Sequence, residues 1–192
     1  MSRQIENRNF LSPTGFKFTL EKSPKVSFFC NQANIPDLIL GIAIQPSYLK
    51  DIDQPGDKLQ FGDLNIRFLV DENLENYMEI QNWLRGLGYP ENLQQIYDLQ
   101  TTGNREFDSY KRSMENIYSD GSLQILSSSL IPNFQVKFRE LFPYSLTTLS
   151  FDATSNDIEY FTADVSFKYT YYEITDLSGN PLWQLILKNF KR

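Results

Sequence analysis

The 192-residue sequence contains no histidine. That removes the commonest general base, the commonest zinc ligand and the usual partner of a serine or cysteine nucleophile. Ser127, Ser128 and Ser129 therefore stand without a base, and outside the GxSxG frame of a nucleophile elbow. A single cysteine, Cys30, precludes an intrachain disulfide and suits synthesis in a reducing compartment. Beside Phe28 and Phe29 it reads as a small buried hydrophobe. Basic side chains are outnumbered, 18 against 24 acids for a net charge of −6, which argues against holding nucleic acid by its phosphates. It does not argue against a surface past which nucleic acid slides. No apolar run approaches the ~20 residues that span a bilayer, so no membrane insertion is expected. The opening MSRQIENRNFLSPTG lacks the apolar core of a secretory leader. GDKLQFGD lacks the GK[ST] ending of a phosphate-cradling loop.

What the sequence does have is aromatic weight. Phe, Tyr and Trp make up 15% of the chain, within a hydrophobic total of 41%, and aromatic side chains favour half-buried pleated surfaces. Residues 1–14 read as an N-terminal arm, and residues 15–174 as a single β domain. GFKFTLE alternates as a strand with Phe16, Phe18 and Leu20 on one face, and VSFFCNQANIP reads as a second strand ending at Pro36. Residues 39–61 read as a long hairpin turning at QPGD (54–57), where Pro55 and Gly56 suit the two central turn positions. LNIRFLV is a strand; after it the period changes from 2 to 3.6. Tyr77, Ile80, Trp83, Leu84 and Leu87 then share one stripe, as a helix packed on a sheet requires, and Gly86, Gly88 and Pro90 stop it. Residues 91–119 lose periodicity and read as an irregular insertion. Strands return in GSLQIL and IPNFQVKFRE, and residues 142–151 read as a connection with an extended part. The longest strand is expected over 158–172, with Phe161, Ala163, Val165 and Phe167 facing in and Asp164, Ser166 and Lys168 facing out. Residues 175–192 form a C-terminal extension whose apolar residues Leu182, Trp183, Leu185, Ile186 and Phe190 suit either covering the chain's own core or docking on a neighbour. The predicted fold is mainly β, an antiparallel sandwich or barrel-forming sheet with one packed helix.

Two groups of acids merit weighing. Asp71, Glu72, Glu75 and Glu79 fall at the helix entrance, where Asp71 or Asn73 can cap free N–H groups and negative charge meets the helix dipole favourably. Asp51, Asp53 and Asp57 surround the hairpin. They lack the glycine-centred twelve-residue spacing of a calcium loop, and read as a solvated hairpin face or as an acidic surface with a purpose. Nothing assembles a catalytic or metal site, and no cofactor is implied. The residues describe an acidic, sheet-rich interaction protein.

The ordered set FFCNQANIP (28–36), IQP (44–46), QPGDKLQFGDLNIRFLVDE (54–72), NYxEIxNWL (76–84) and FPYSLTTLSFD (142–152) resembles the tail tube proteins of contractile-tailed myovirus bacteriophages, in the forms common among marine and cyanobacterial phages. The resemblance covers residues 9–174. It implies a non-enzymatic structural virion protein forming stacked hexameric rings, an inner tail tube for DNA ejection inside a contractile sheath. Implied partners are further copies of the chain, the sheath protein, baseplate tube initiators, the tail terminator, and the tape-measure protein and phage DNA passing through the lumen. Assembly in the host cytoplasm and residence in the virion tail follow. On this reading Asp51, Asp53, Asp57 and Asp164, tempered by Lys58 and Lys168, are expected to line the lumen, and an acidic bore would repel DNA. A tube initiator or tail-completion protein of the same fold is the first alternative. A surface- or carbohydrate-binding β-sandwich module is the alternative from another class.

Overall fold

The computed structural model describes residues 10–88, 117–151 and 160–182. Among these the order is β1 (Phe16–Leu20), α1 (Pro24–Phe28), β2 (Cys30–Ala33), β3 (Leu38–Gln45), β4 (Ile52–Phe61), β5 (Leu64–Leu69), α2 (Glu75–Gly88), β6 (Ser119–Leu126), β7 (Pro132–Leu146), β8 (Thr162–Lys168) and β9 (Tyr171–Thr175). The named strands pair antiparallel in the order β1-β6-β7-β8-β5-β2, with β9 also on β7 and β3-β4 as a separate ribbon. The fold is thus mainly β, with a single substantial helix among the described residues.

Strand β7 joins two sheets. Its first half, Gln135–Arg139, pairs with both β6 and β9, and its second half, Phe142–Leu146, pairs with β8. The change of sheet falls at Glu140, whose φ of 57° is unusual for a residue with a side chain. Its amide donates to Asp120 Oδ1 at 3.2 Å, and Thr170 Oγ1 donates to its carboxylate. Register shifts flank it, between Ser119 and Gly121 and between Pro143 and Ser145. A bulge of this kind bends a strand and sharpens its twist.

Alternation puts one face of every central strand in the core. Leu64, Ile66 and Phe68 of β5 sit opposite Phe167, Val165 and Ala163 of β8, and all six are fully buried. Phe18 of β1, Leu123 of β6 and Val136 of β7 line up across the other sheet. Helix α2 contributes Ile80 and Trp83 to the same core, with Tyr77, Leu84 and Leu87 packed at its margin. The Trp83 indole lies 6.2 Å from the Phe167 ring and donates to the Ile117 carbonyl at 2.9 Å, so its polar edge is satisfied while its body fills the core.

Several expectations need correction. VSFF is not strand: Pro24 opens the short helix α1, since its fixed φ suits a first helical position, and Val26 plugs the core. QPGD is not the hairpin turn; it lies inside β4, and the chain reverses between Gln45 and Ile52. Pro55 and Gly56 are absorbed by a bulge, because Leu40 pairs with Leu59 whereas Ile42 pairs with Pro55. The extended part expected within the 142–151 connection is its first five residues, 142–146, which form the second half of β7. The single strand expected over 158–172 is two, β8 and β9, parted at Tyr169–Thr170 where the partner changes from one half of β7 to the other. Strand β6 begins at Ser119, inside the expected 91–119 insertion. The rest of that insertion up to residue 116 lies outside the described residues, as does the 1–9 part of the expected arm.

Candidate assembly surface

The ribbon β3-β4 is an arm. It continues the β2-β5 pair outward, because β2 leads into β3 and β4 into β5, while among the described residues β3 and β4 pair only with each other. The run LILGIAIQ is nearly all apolar, yet its residues are exposed. Register assigns the two faces, since directly paired residues share a side. One face carries Leu38, Leu40, Ile42 and Ile44 of β3 with Leu59, Pro55 and Phe61 of β4. Leu38 is 51% exposed, Leu40 44%, Ile42 70%, Ile44 64% and Leu59 54%. Covering these five would stabilise a contact by about 4–8 kcal/mol. Asp53, paired with Ile44, ends this apolar face. The opposite face carries Gln45, Gln54 and Gln60 with Ile39, Ala43 and Ile52, and Gln54 Nε2 donates to Gln45 Oε1 at 3.3 Å.

Phe61 anchors the root of the arm. Its ring packs edge-on against Tyr169 and Tyr172, which also meet Phe138 of the core. The Tyr169 hydroxyl donates to the Gly62 carbonyl at 2.9 Å and Tyr172 to the Pro36 carbonyl at 3.3 Å. Burial pushes the Tyr169 phenol up, keeping it a neutral donor. Since Phe61 turns to the core side, the apolar face of the arm continues the buried face of the β5-β8 sheet. The glutamine face continues that sheet's free face.

The free face of β5 and β8 is polar and internally paired. Arg67 Nε donates to Asp164 Oδ1 at 2.7 Å and Nη2 to Oδ2 at 3.2 Å, a two-pronged pair that raises the Arg67 pKa. Asp63 receives Lys168 Nζ and the Tyr144 hydroxyl, and these bonds hold its pKa below the usual carboxylate range. Ser166 Oγ bonds Asn65 Oδ1 at 2.7 Å. Asp164 and Lys168 of the expected lining therefore lie on this face, each bound to an opposite charge. Asp51, Asp57 and Lys58 are exposed on the arm, Asp51 just before β4 and the other two in its bulge. Arg67, Asp63 and the apolar arm face were missed by sequence reasoning. The unbroken apolar run of β3 was the available signal for the last.

At the helix entrance Asn76 does the organising, in place of the expected Asp71 or Asn73 cap. Fully buried, it donates to the Leu69 carbonyl at 2.7 Å and accepts from the amides of Asp71 at 3.1 Å and Tyr77 at 2.8 Å. Lys25 of α1 binds Glu75 and lies 3.8 Å from Glu79, so two of the four entrance acids tie the helices together. Burial raises the Glu79 pKa. Among the described residues no group of three His, Cys, Asp or Glu side chains could hold a metal ion. Nor is any helix among them long and apolar enough to cross a membrane. Leu182 is the last described residue and is half-buried; Trp183, Leu185, Ile186 and Phe190 lie outside the described residues.

No curated protein sequence matches the chain. Solved structures share its fold. A chain from the anti-feeding prophage tube-terminating cap superposes with a TM-score of 0.55 at 15% identity, covering 90% of this chain and 95% of that one. A chain from the extended sheath-tube complex of the extracellular contractile injection system PVC gives 0.53 at 14% identity, covering 88% and 94%. One from the anti-feeding prophage baseplate gives 0.53 at 11% identity, covering 92% and 99%. The family model described as phage tail tube protein matches residues 7–175. An antiparallel body carrying an apolar ribbon, matched by that model over most of its length, belongs to the phage tail tube protein family.

Proposed function

We propose that the chain closes into hexameric rings, that the rings stack into the inner tube of a contractile tail, and that the tube is the conduit for DNA ejection within a sheath. The observation that carries this reading is the β3-β4 arm. A ribbon with apolar side chains on one face, held only at its root, is a costly surface to leave in water. Laid on a second copy, it would cover that face and lengthen the neighbour's sheet. Repeated around an axis, such a head-to-tail contact closes into a ring and leaves no exposed sheet edge. Stacking of rings is open-ended, so a filament follows. Partners on this reading are the sheath protein outside, baseplate initiators and a terminator at the ends, and the tape-measure protein and DNA inside. Assembly takes place in the host cytoplasm.

Electron microscopy of the purified full-length protein across a concentration series tests the reading. Hollow tubes of stacked rings are expected. Rings that never stack would move the assignment to a tube initiator or tail-completion protein, and monomers at every concentration would refute assembly by the arm.

A further inference from the structure

We infer that the wall this chain presents to DNA is charge-neutral and built from amides, hydroxyls, a few aliphatic side chains and masked cations, in place of the acidic bore that the family resemblance implies. The inference rests on the tube reading above and specifies its wall. Ring closure through the arm runs through the sheet that the arm continues, so the free face of β5 and β8 and the glutamine face of the arm form one continuous surface. On it lie Gln45, Gln54 and Gln60 of the arm, interleaved with Ile39, Ala43 and Ile52, and Asn65 and Ser166 of the sheet. Its charged residues in the sheet are Arg67, Asp164, Asp63 and Lys168, two of each sign and each bound to its opposite. Asp57 and Lys58 lie exposed in the bulge, one of each sign, outside the register that assigns faces. Asp53 falls on the apolar side of the arm.

The pairing decides how such a wall treats a phosphate backbone. A free cation binds DNA by releasing the counterions condensed on it. A cation already held by a carboxylate carries little net charge toward phosphate, so few counterions are released and little is gained. An acidic wall would instead keep DNA away from its surface by repulsion and hold a layer of counterions. The neutral wall does neither, and its friction on a moving duplex depends little on salt.

Unmasking the cations tests this. Tubes of the full-length protein are assembled at low salt with a 50-base-pair duplex, treated with nuclease, and assayed for protected DNA. Wild-type tubes should protect almost none. Asp63→Asn with Asp164→Asn keeps the size of each side chain, removes both negative charges and puts an amide donor where a carboxylate oxygen accepted, so it frees Lys168 and Arg67. Protected DNA should rise at least about ten-fold and fall again as salt is added. Adding Arg67→Gln and Lys168→Gln should abolish the gain. Asp120→Asn, which breaks the Arg139 pair on the β6-β7 sheet, away from the β5-β8 face, should protect nothing. Retention by the wild type, an equal gain in the quadruple variant, or protection by Asp120→Asn in place of the double variant would each overturn the inference. Should the double variant fail to assemble, wild-type tubes decide by uptake of a fluorescent polycation and polyanion at low salt. Equal uptake supports a neutral wall, and preference for the polycation refutes it. A wild type that forms no tubes would refute the assembly reading instead.

Discussion

Truncating Ile42 to alanine separates assembly from folding. Ile42 is 70% exposed at the middle of the arm's apolar face and takes no part in the core. The substitution removes three carbons, each contributing about 0.8 kcal/mol when buried, so the exposed fraction corresponds to about 1.7 kcal/mol per arm contact. With one arm contact per subunit in a six-membered ring, the ring loses about 10 kcal/mol. Ring formation varies as the sixth power of monomer concentration, so its midpoint should rise about 30-fold. Sedimentation velocity across a dilution series reads that midpoint. The melting temperature of the dispersed subunit should stay within about 1 °C, because no core contact is lost. Gln54→Ala, on the opposite face of the same ribbon, should leave the midpoint in place. An unchanged midpoint for Ile42→Ala, or an equal shift for Gln54→Ala, would show that the arm's apolar face is not what neighbours cover.

Further outcomes follow from the arm, the helix entrance and the thiol. A Cβ added at Gly56 would stand 2.4 Å from the Gly41 carbonyl oxygen, whereas one at Gly41 would meet only the Lys58 carbonyl at 3.5 Å. Gly56→Ala should therefore abolish ring formation in sedimentation without moving the urea midpoint of the body, and Gly41→Ala should be tolerated. Asn76→Leu leaves the Leu69 carbonyl and Asp71 amide without their partner and removes a buried hydrogen-bond hub, and urea unfolding should show a loss of about 2–4 kcal/mol. Burial pushes the Cys30 thiol up to about 11. Iodoacetamide should label it about 100-fold more slowly at pH 8 in the native subunit than in urea, since the thiolate is the nucleophile. The folded pKa lies above the unfolded one, so this group's contribution to stability is intact below about pH 9 and is lost as pH rises toward 11. Cys30→Ala should flatten that limb of the stability–pH curve.

The elements read correctly from sequence were those with one face in the core and one in water. β1, β5, β8 and α2 alternate cleanly because burial imposes the period, and Leu64, Ile66 and Phe68 are unmistakable for that reason. Where another force decides, the pattern misleads. VSFF carries enough apolar weight for a strand, and Pro24 tips it into a helical turn. Pro55 and Gly56 have turn chemistry, but a ribbon without core packing tolerates them in a bulge. Tyr144 and Glu140 break the alternation of β7 because the strand changes sheets between them. Asn76 shares the helical stripe of Ile80 and Trp83, and a polar residue there was the mark of a buried hydrogen-bond hub. The pairings of Asp164 and Lys168 could not be read at all, since Arg67 and Asp63 come from a strand about a hundred residues away.

The strand order also imposes a timetable. Phe16 of β1 pairs with Ile125 of β6, and β9, at the end of the domain, completes the sheet over β7. At ribosomal speeds β1 waits roughly 5–20 seconds for its partner, and pairings this distant in sequence make for slow closure. The apolar arm, residues 38–61, leaves the ribosome early in that interval. On the proposed ring contact, a chain offers a dock to the next copy only after β8 and β9 have been made, so the number of finished bodies, not the supply of arms, sets when growth begins.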